Sequence, residues 1–168
     1  LSVIDLATGQ VEQTVTFAAS EMAFENAELP IGACFVPRIL RKEGRMLRVF
    51  FASEDPGNRQ SQTWYTDYDL KRHVFSQRIH RVEIETDLGV FPMQPQHLHR
   101  QAAAKGFAGA PVRHGLYMID GFKRFDGCIY AVLNNFPGGQ NAWATLNDGM
   151  TRFTVLGDFF LPQEAKLT

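Results

Sequence analysis

The chain has 168 residues, 45% of them hydrophobic, which is enough for one domain with a real core; a compact chain of that size buries roughly 70% of the surface its unfolded form exposes. A formal net charge of −1 lacks the basic excess of a nucleic-acid-binding surface, and no apolar run approaches the ~20 residues of a membrane-spanning helix. Fourteen Phe and 14 Gly against 8 Pro suit packed strands and tight turns, and set the chain apart from low-complexity disorder.

In chain order, Val11, Val15 and Phe17 alternate with Glu12, Thr14 and Thr16, the pattern of a half-buried strand. Residues 20–30, with Glu21, Glu25, Asn26 and Glu28, read as a polar connection. A strand is expected over 34–40, then a turn at 41–44, then a strongly apolar strand over 46–53 that stops at Glu54-Asp55-Pro56-Gly57-Asn58. Residues 62–68 are rich in aromatic and β-branched side chains, and short strands are expected near 73–76 and 82–84. The stretch 85–111 reads as a long inserted loop holding one short helix near Gln101 to Lys105. Strands resume at 116–123, 128–134, 142–146 and 152–156, punctuated by Asp126-Gly127, by Pro137-Gly138-Gly139 and by Asn147-Asp148-Gly149.

Cys34 and Cys128 each sit in an apolar run and read as buried free thiols, with one disulfide as the alternative. Without a CxxC pattern there is no cysteine zinc site. His97 and His99, with His114 beyond, lack a companion ligand at a matching spacing and read as a surface loop pair. No metal and no cofactor is therefore expected. No GxSxG element and no phosphate-binding loop is present.

The two halves of the chain share landmarks. Gly32 matches Gly115, Gly44 matches Gly127, Pro56-Gly57 matches Pro137-Gly138, and Trp64, Thr66 and Asp69 match Trp143, Thr145 and Asp148. Repeats over about 32–76 and 115–157 predict two four-stranded sheet modules within a single all-β domain or propeller fragment. A β-sandwich is the alternative architecture.

On these residues the chain resembles the sialidase-like, Asp-box β-propeller superfamily. Residues 35–40 and 44–54 look like that family's first strand pair, and Leu146-Asn147-Asp148-Gly149-Met150-Thr151-Arg152-Phe153 is similar to an Asp-box, keeping Asp148 and the aromatic Phe153. The resemblance implies a partial six-bladed propeller acting on a polar or acidic sugar, as a glycoside hydrolase. A carbohydrate-binding or scaffold module without catalysis and a polysaccharide lyase are the alternatives. It implies a carbohydrate ligand, and a second chain, a self-copy or missing C-terminal blades to complete the ring. Localisation stays open.

In a blade, the loop into the first strand and the loop between the second and third open on one face. That placement gathers Glu28, Glu54, Asp55 and Arg59 from one repeat, and Arg113, His114, Asn134, Asn135, Gln140 and Asn141 from the other. Glu54, Asp55, Arg113 and His114 are the catalytic candidates, since a carboxylate pair supplies acid and nucleophile or base. Arg38, Arg59, Asn134, Asn135, Gln140 and Asn141 are the ligand-binding candidates, arginine for its planar fork toward carboxylates. Asp69, Asp148, Trp64, Trp143 and Phe153 are expected to be structural, the aspartates accepting turn N–H groups and the aromatics packing between sheets. Tyr65 and Tyr68 read as partly exposed and able to contact a ligand.

Overall fold

The computed structural model describes residues 2–15, 23–24, 34–54, 61–107, 118–134, 136 and 141–157. A small hairpin pairs β1 (Ser2–Ile4) with β2 (Val11–Thr14). The next strands, β3 (Ala23–Phe24), β4 (Cys34–Arg41), β5 (Met46–Glu54), β6 (Ser61–Asp69), β7 (Val74–Phe75) and β8 (Arg78–Arg81), form the first large sheet, ordered β3-β8-β6-β5-β4 with β7 on the end of β6. Then come β9 (Glu83–Thr86), β10 (Gly89–Pro92), helix α1 (Pro95–Ala104), β11 (Ile119–Phe125), β12 (Cys128–Leu133), β13 (Ala142–Leu146) and β14 (Arg152–Val155). Their strands form the second sheet, ordered β10-β9-β14-β13-β12-β11.

The fold is all-β, and both sheets stay open. This corrects the propeller expectation and its sandwich alternative. Two parallel joins are responsible: β9 pairs β14, and β3 pairs β8. They extend the antiparallel runs into mixed six-stranded sheets, neither of which closes or curls into blades, a barrel or a sandwich. The sialidase-like resemblance falls with the closed ring it requires.

The core lies where the sheets meet. In β12 and β13, period-two alternation turns Ile129, Ala131, Leu133, Ala142, Ala144 and Leu146 inward. Phe50 of β5 crosses from the first sheet into this layer, its ring 5.5 Å from Phe122 and 5.7 Å from Phe153, both fully or partly buried in the same cluster. Full burial of a side chain of that size contributes roughly 1.5–3 kcal/mol.

Arg48, only 4% exposed, ties the sheets by polar bonds. Its Nε and Nη2 donate to the Asp67 carboxylate at 2.8 and 2.9 Å, and its Nη1 donates to the carbonyls of Gly149 and Met150 at 2.8 and 2.7 Å. Burial acts to raise the Asp67 pKa, but hydrogen bonds and charge from Arg48 and Lys42 outweigh it and hold the carboxyl below its ordinary value.

Helix α1 has local reasons to form. Pro95 at its first turn pre-sets φ, and Pro95, Leu98 and Ala102 share one buried face. At its end Gly106, at φ 82°, donates to Ala103, and Phe107 donates to Ala102, the paired bonds of a Schellman stop.

Candidate functional site

The fold brings several strands together around Val82, the single residue between β8 and β9. Val82 N–H donates to the Thr63 carbonyl at 3.1 Å, and the Val82 carbonyl accepts from Met93 N–H at 2.8 Å. Thr63 N–H returns to the Met93 carbonyl at 3.1 Å, and Glu83 N–H donates to the Thr151 carbonyl at 3.1 Å. This lattice fixes the flank of the first sheet against the edge of the second. Beside it lies a cleft of about 380 Å³, within the range of small-molecule sites.

Tyr65 from β6, Arg81 from β8, Glu83 from β9 and Thr151 before β14 give the cleft its polar groups; Val90, Phe91 and Pro92 of β10 form its apolar wall. The Tyr65 ring is half-buried, 4.0 Å from the Arg48 guanidinium carbon, and stacks on His80 at 5.0 Å. Phe91 is backed by the His97 ring at 5.4 Å. Burial, and then the charge of Arg100, push the His97 pKa below its ordinary value.

Two charges of the cleft differ in how they are met. Glu83 accepts from Arg152 Nε and Nη2 at 2.8 and 2.7 Å. Arg81, half-buried, has its guanidinium carbon 5.6 Å from the centre of the Trp64 ring. Its Nε is buried with no hydrogen-bond partner, and among the described residues no carboxylate pairs with it. Every other buried arginine donor described above has an acceptor, so Arg81 is the unmatched cation of this site.

The residues singled out in the sequence lie elsewhere. Arg38 donates from Nε to the Asp120 carbonyl at 2.7 Å, joining β4 to β11. Glu54 ends β5, Asn134 follows β12 and donates its N–H to the Met118 carbonyl at 2.7 Å, and Asn141 is exposed before β13. Asp55, Arg59, Arg113, His114, Asn135 and Gln140, with Glu28, fall outside the described residues.

Asp69 accepts the N–H groups of Lys71 and Arg72 at 2.8 and 3.1 Å; the bond from Arg72 leads the effects that hold its pKa low. In the turn before β14 the same task belongs to Asn147, whose Oδ1 accepts from Thr151 and Arg152 at 2.8 and 3.0 Å, while Asp148 is exposed. Trp64 is 2% exposed and donates to Ser53 Oγ at 2.8 Å, Phe153 is fully buried, and Trp143 is 48% exposed on the outer side of the second sheet. Tyr68 is fully buried. Cys128 is an exposed free thiol at a hairpin end, not a buried one.

His97 and His99 stand two apart on a helix, where such spacing places side chains on different faces. Among the described residues no group of three His, Cys, Asp or Glu is arranged to hold a metal ion. No described helix is long and apolar enough to cross a membrane.

The site is thus a polar cleft on the flank of two open β-sheets. Comparison with protein-family models, with curated proteins and with solved structures finds no match to this chain. With no related glycan-active protein and no propeller, the glycosidase, carbohydrate-binding and lyase expectations are withdrawn. The chemistry of the cleft agrees. Glycoside hydrolysis takes two carboxylates roughly 5–10 Å apart; among the described residues this cleft is lined by one, Glu83, already engaged by Arg152.

Proposed function

We propose that the chain is a binding module for a small organic carboxylate, received in the cleft between β6, β8, β9 and β10. The observation that carries this reading is Arg81: a half-buried guanidinium that lines the cleft and has no carboxylate from the described residues. A planar fork in such surroundings favours a bidentate carboxylate. Thr151 and Tyr65 line the same cleft, and Val90, Phe91 and Pro92 suit a short apolar body behind the anionic head. Because Arg152 matches Glu83, the Arg81 charge is left for the ligand.

The test is calorimetric titration with benzoate and with benzamide, its uncharged isostere. Benzoate binds the native chain, benzamide binds at least about tenfold more weakly, and Arg81→Gln abolishes the difference between them, as expected where a charge-assisted bond worth about 1.5–3 kcal/mol is removed. Equal binding of both probes, no binding of either, or an unchanged preference in Arg81→Gln overturns the reading.

A further inference from the structure

The outer edge of β11 is built to receive a strand. β11 ends the second sheet, with β12 on its other side and no strand beyond it among the described residues. Phe125 pairs with Cys128 across the two-residue turn Asp126-Gly127, whose φ angles are 47° and 75°. The residues flanking such a turn are a hydrogen-bonded pair. Phe125, Lys123 and Gly121 therefore direct their N–H and C=O groups toward β12, and Phe122 and Arg124 direct theirs outward.

The register shift between Ile119 and Gly121 makes Asp120 the extra residue of a bulge, and its carbonyl also points outward, where Arg38 donates to it. Sheet edges of this kind are usually blunted by charge or by cover. Here the charges are self-complementary. In an antiparallel pairing with a two-fold axis at Phe122, Asp120 of each copy falls opposite Arg124 of the other, so one contact is made twice. Arg124 is exposed and has no hydrogen bond or ion pair among the described residues. The Asp120 side chain is 57% exposed, and its cation, Arg38 of the same chain, lies 3.9 Å away.

We infer that β11 is a dimerisation edge on which a second copy of this chain pairs antiparallel about Phe122, joining two second sheets into one continuous sheet. The outward backbone groups of Phe122 bond to their own symmetry mates, and those of Arg124 meet Asp120. The inference is independent of the cleft, which lies at the opposite end of the same sheet, where β10 is the edge.

Sedimentation equilibrium over a concentration series tests it, in reducing buffer so that the exposed Cys128 thiol supplies no dimer of its own. The native chain shows a monomer–dimer equilibrium. Arg124→Asp weakens the dimer about tenfold or more, since it places like charges opposite one another twice, whereas Arg124→Lys, which keeps the charge, leaves it within about threefold. Circular dichroism confirms that the variants keep the native spectrum. A native chain that stays monomeric to the highest attainable concentration overturns the inference. So does a dimer indifferent to Arg124→Asp, or one that Arg124→Lys weakens as much.

Discussion

Arg48 and Asp67 stand directly opposite each other on β5 and β6, joined by two parallel bonds of 2.8 and 2.9 Å, and the same guanidinium holds the turn that precedes β14. One side chain therefore bonds within its sheet and across to the other. Arg48→Met leaves the Asp67 carboxylate half-buried with only Lys42 and frees two turn carbonyls. The expected cost is about 2–4 kcal/mol, under the range for wholly buried pairs because Asp67 keeps some contact with water. Urea unfolding midpoints measure it; a loss within about 0.5 kcal/mol contradicts the account.

The pH dependence of the same pair has a fixed sign. The folded pKa of Asp67 lies below the ordinary carboxylate value, so the unfolded chain takes up its proton first. The stabilisation is complete above the unfolded value of about 3.9 and is lost as pH falls through the lower folded one. Asp67→Asn should flatten the acid limb of a stability–pH curve in that window. Asp69 and Asp5 are shifted in the same direction and keep part of the slope.

Histidine 97 gives a second pH window. Its depressed pKa means that protonation is easier in the unfolded chain, so stability falls as pH drops below about 6.5. An NMR titration should find the His97 midpoint below that of an exposed histidine. Because its ring backs Phe91, the Phe91 signals should move with the same midpoint. A His97 midpoint at or above 6.5 would refute the burial argument.

Neighbouring residues of one turn should behave oppositely. Asn147→Ala removes the acceptor of two backbone N–H groups and should cost about 1–2 kcal/mol, whereas Asp148→Ala should fall within about 0.5 kcal/mol. Thermal melts of the two variants side by side are sufficient, and equal losses would be inconsistent with the bonding described.

The two tryptophans likewise separate. Trp64→Ala opens a cavity and orphans Ser53, at about 3–5 kcal/mol, while Trp143→Ala is near neutral. Acrylamide should quench Trp143 emission freely and reach Trp64 poorly; equal quenching would contradict their placement.

The strand content was legible because alternation and turn residues are local signals. The run from Met46 to Glu54, bounded by Gly44 and by Asp55-Pro56-Gly57, left little other choice than a strand. The sheets were not legible, because pairing partners are set by distant contacts. Nothing near Glu83 announces that it will lie beside Arg152, and this parallel join turns a supposed four-stranded module into a six-stranded sheet. The matched tryptophans misled for a related reason: equal spacing from turns fixes position along a strand, not which face meets a neighbour. Arg81 is not legible in the sequence because its local surroundings are those of any polar strand end. Only the register that sets it against Trp64, and the acceptor it lacks, mark it out.

The join between β9 and β14 also bears on how the chain acquires its shape. Glu83 and Glu85 reach Arg152 and Thr154 at a sequence separation of 69, and the cleft borders this seam. Hairpins such as β11–β12 are local and can form in microseconds, but this junction waits on closure of a long loop. On a ribosome, β9 emerges well before its partner β14 and must wait for residues 152–155. The cleft is accordingly a late product of folding, assembled only after β14 has been made.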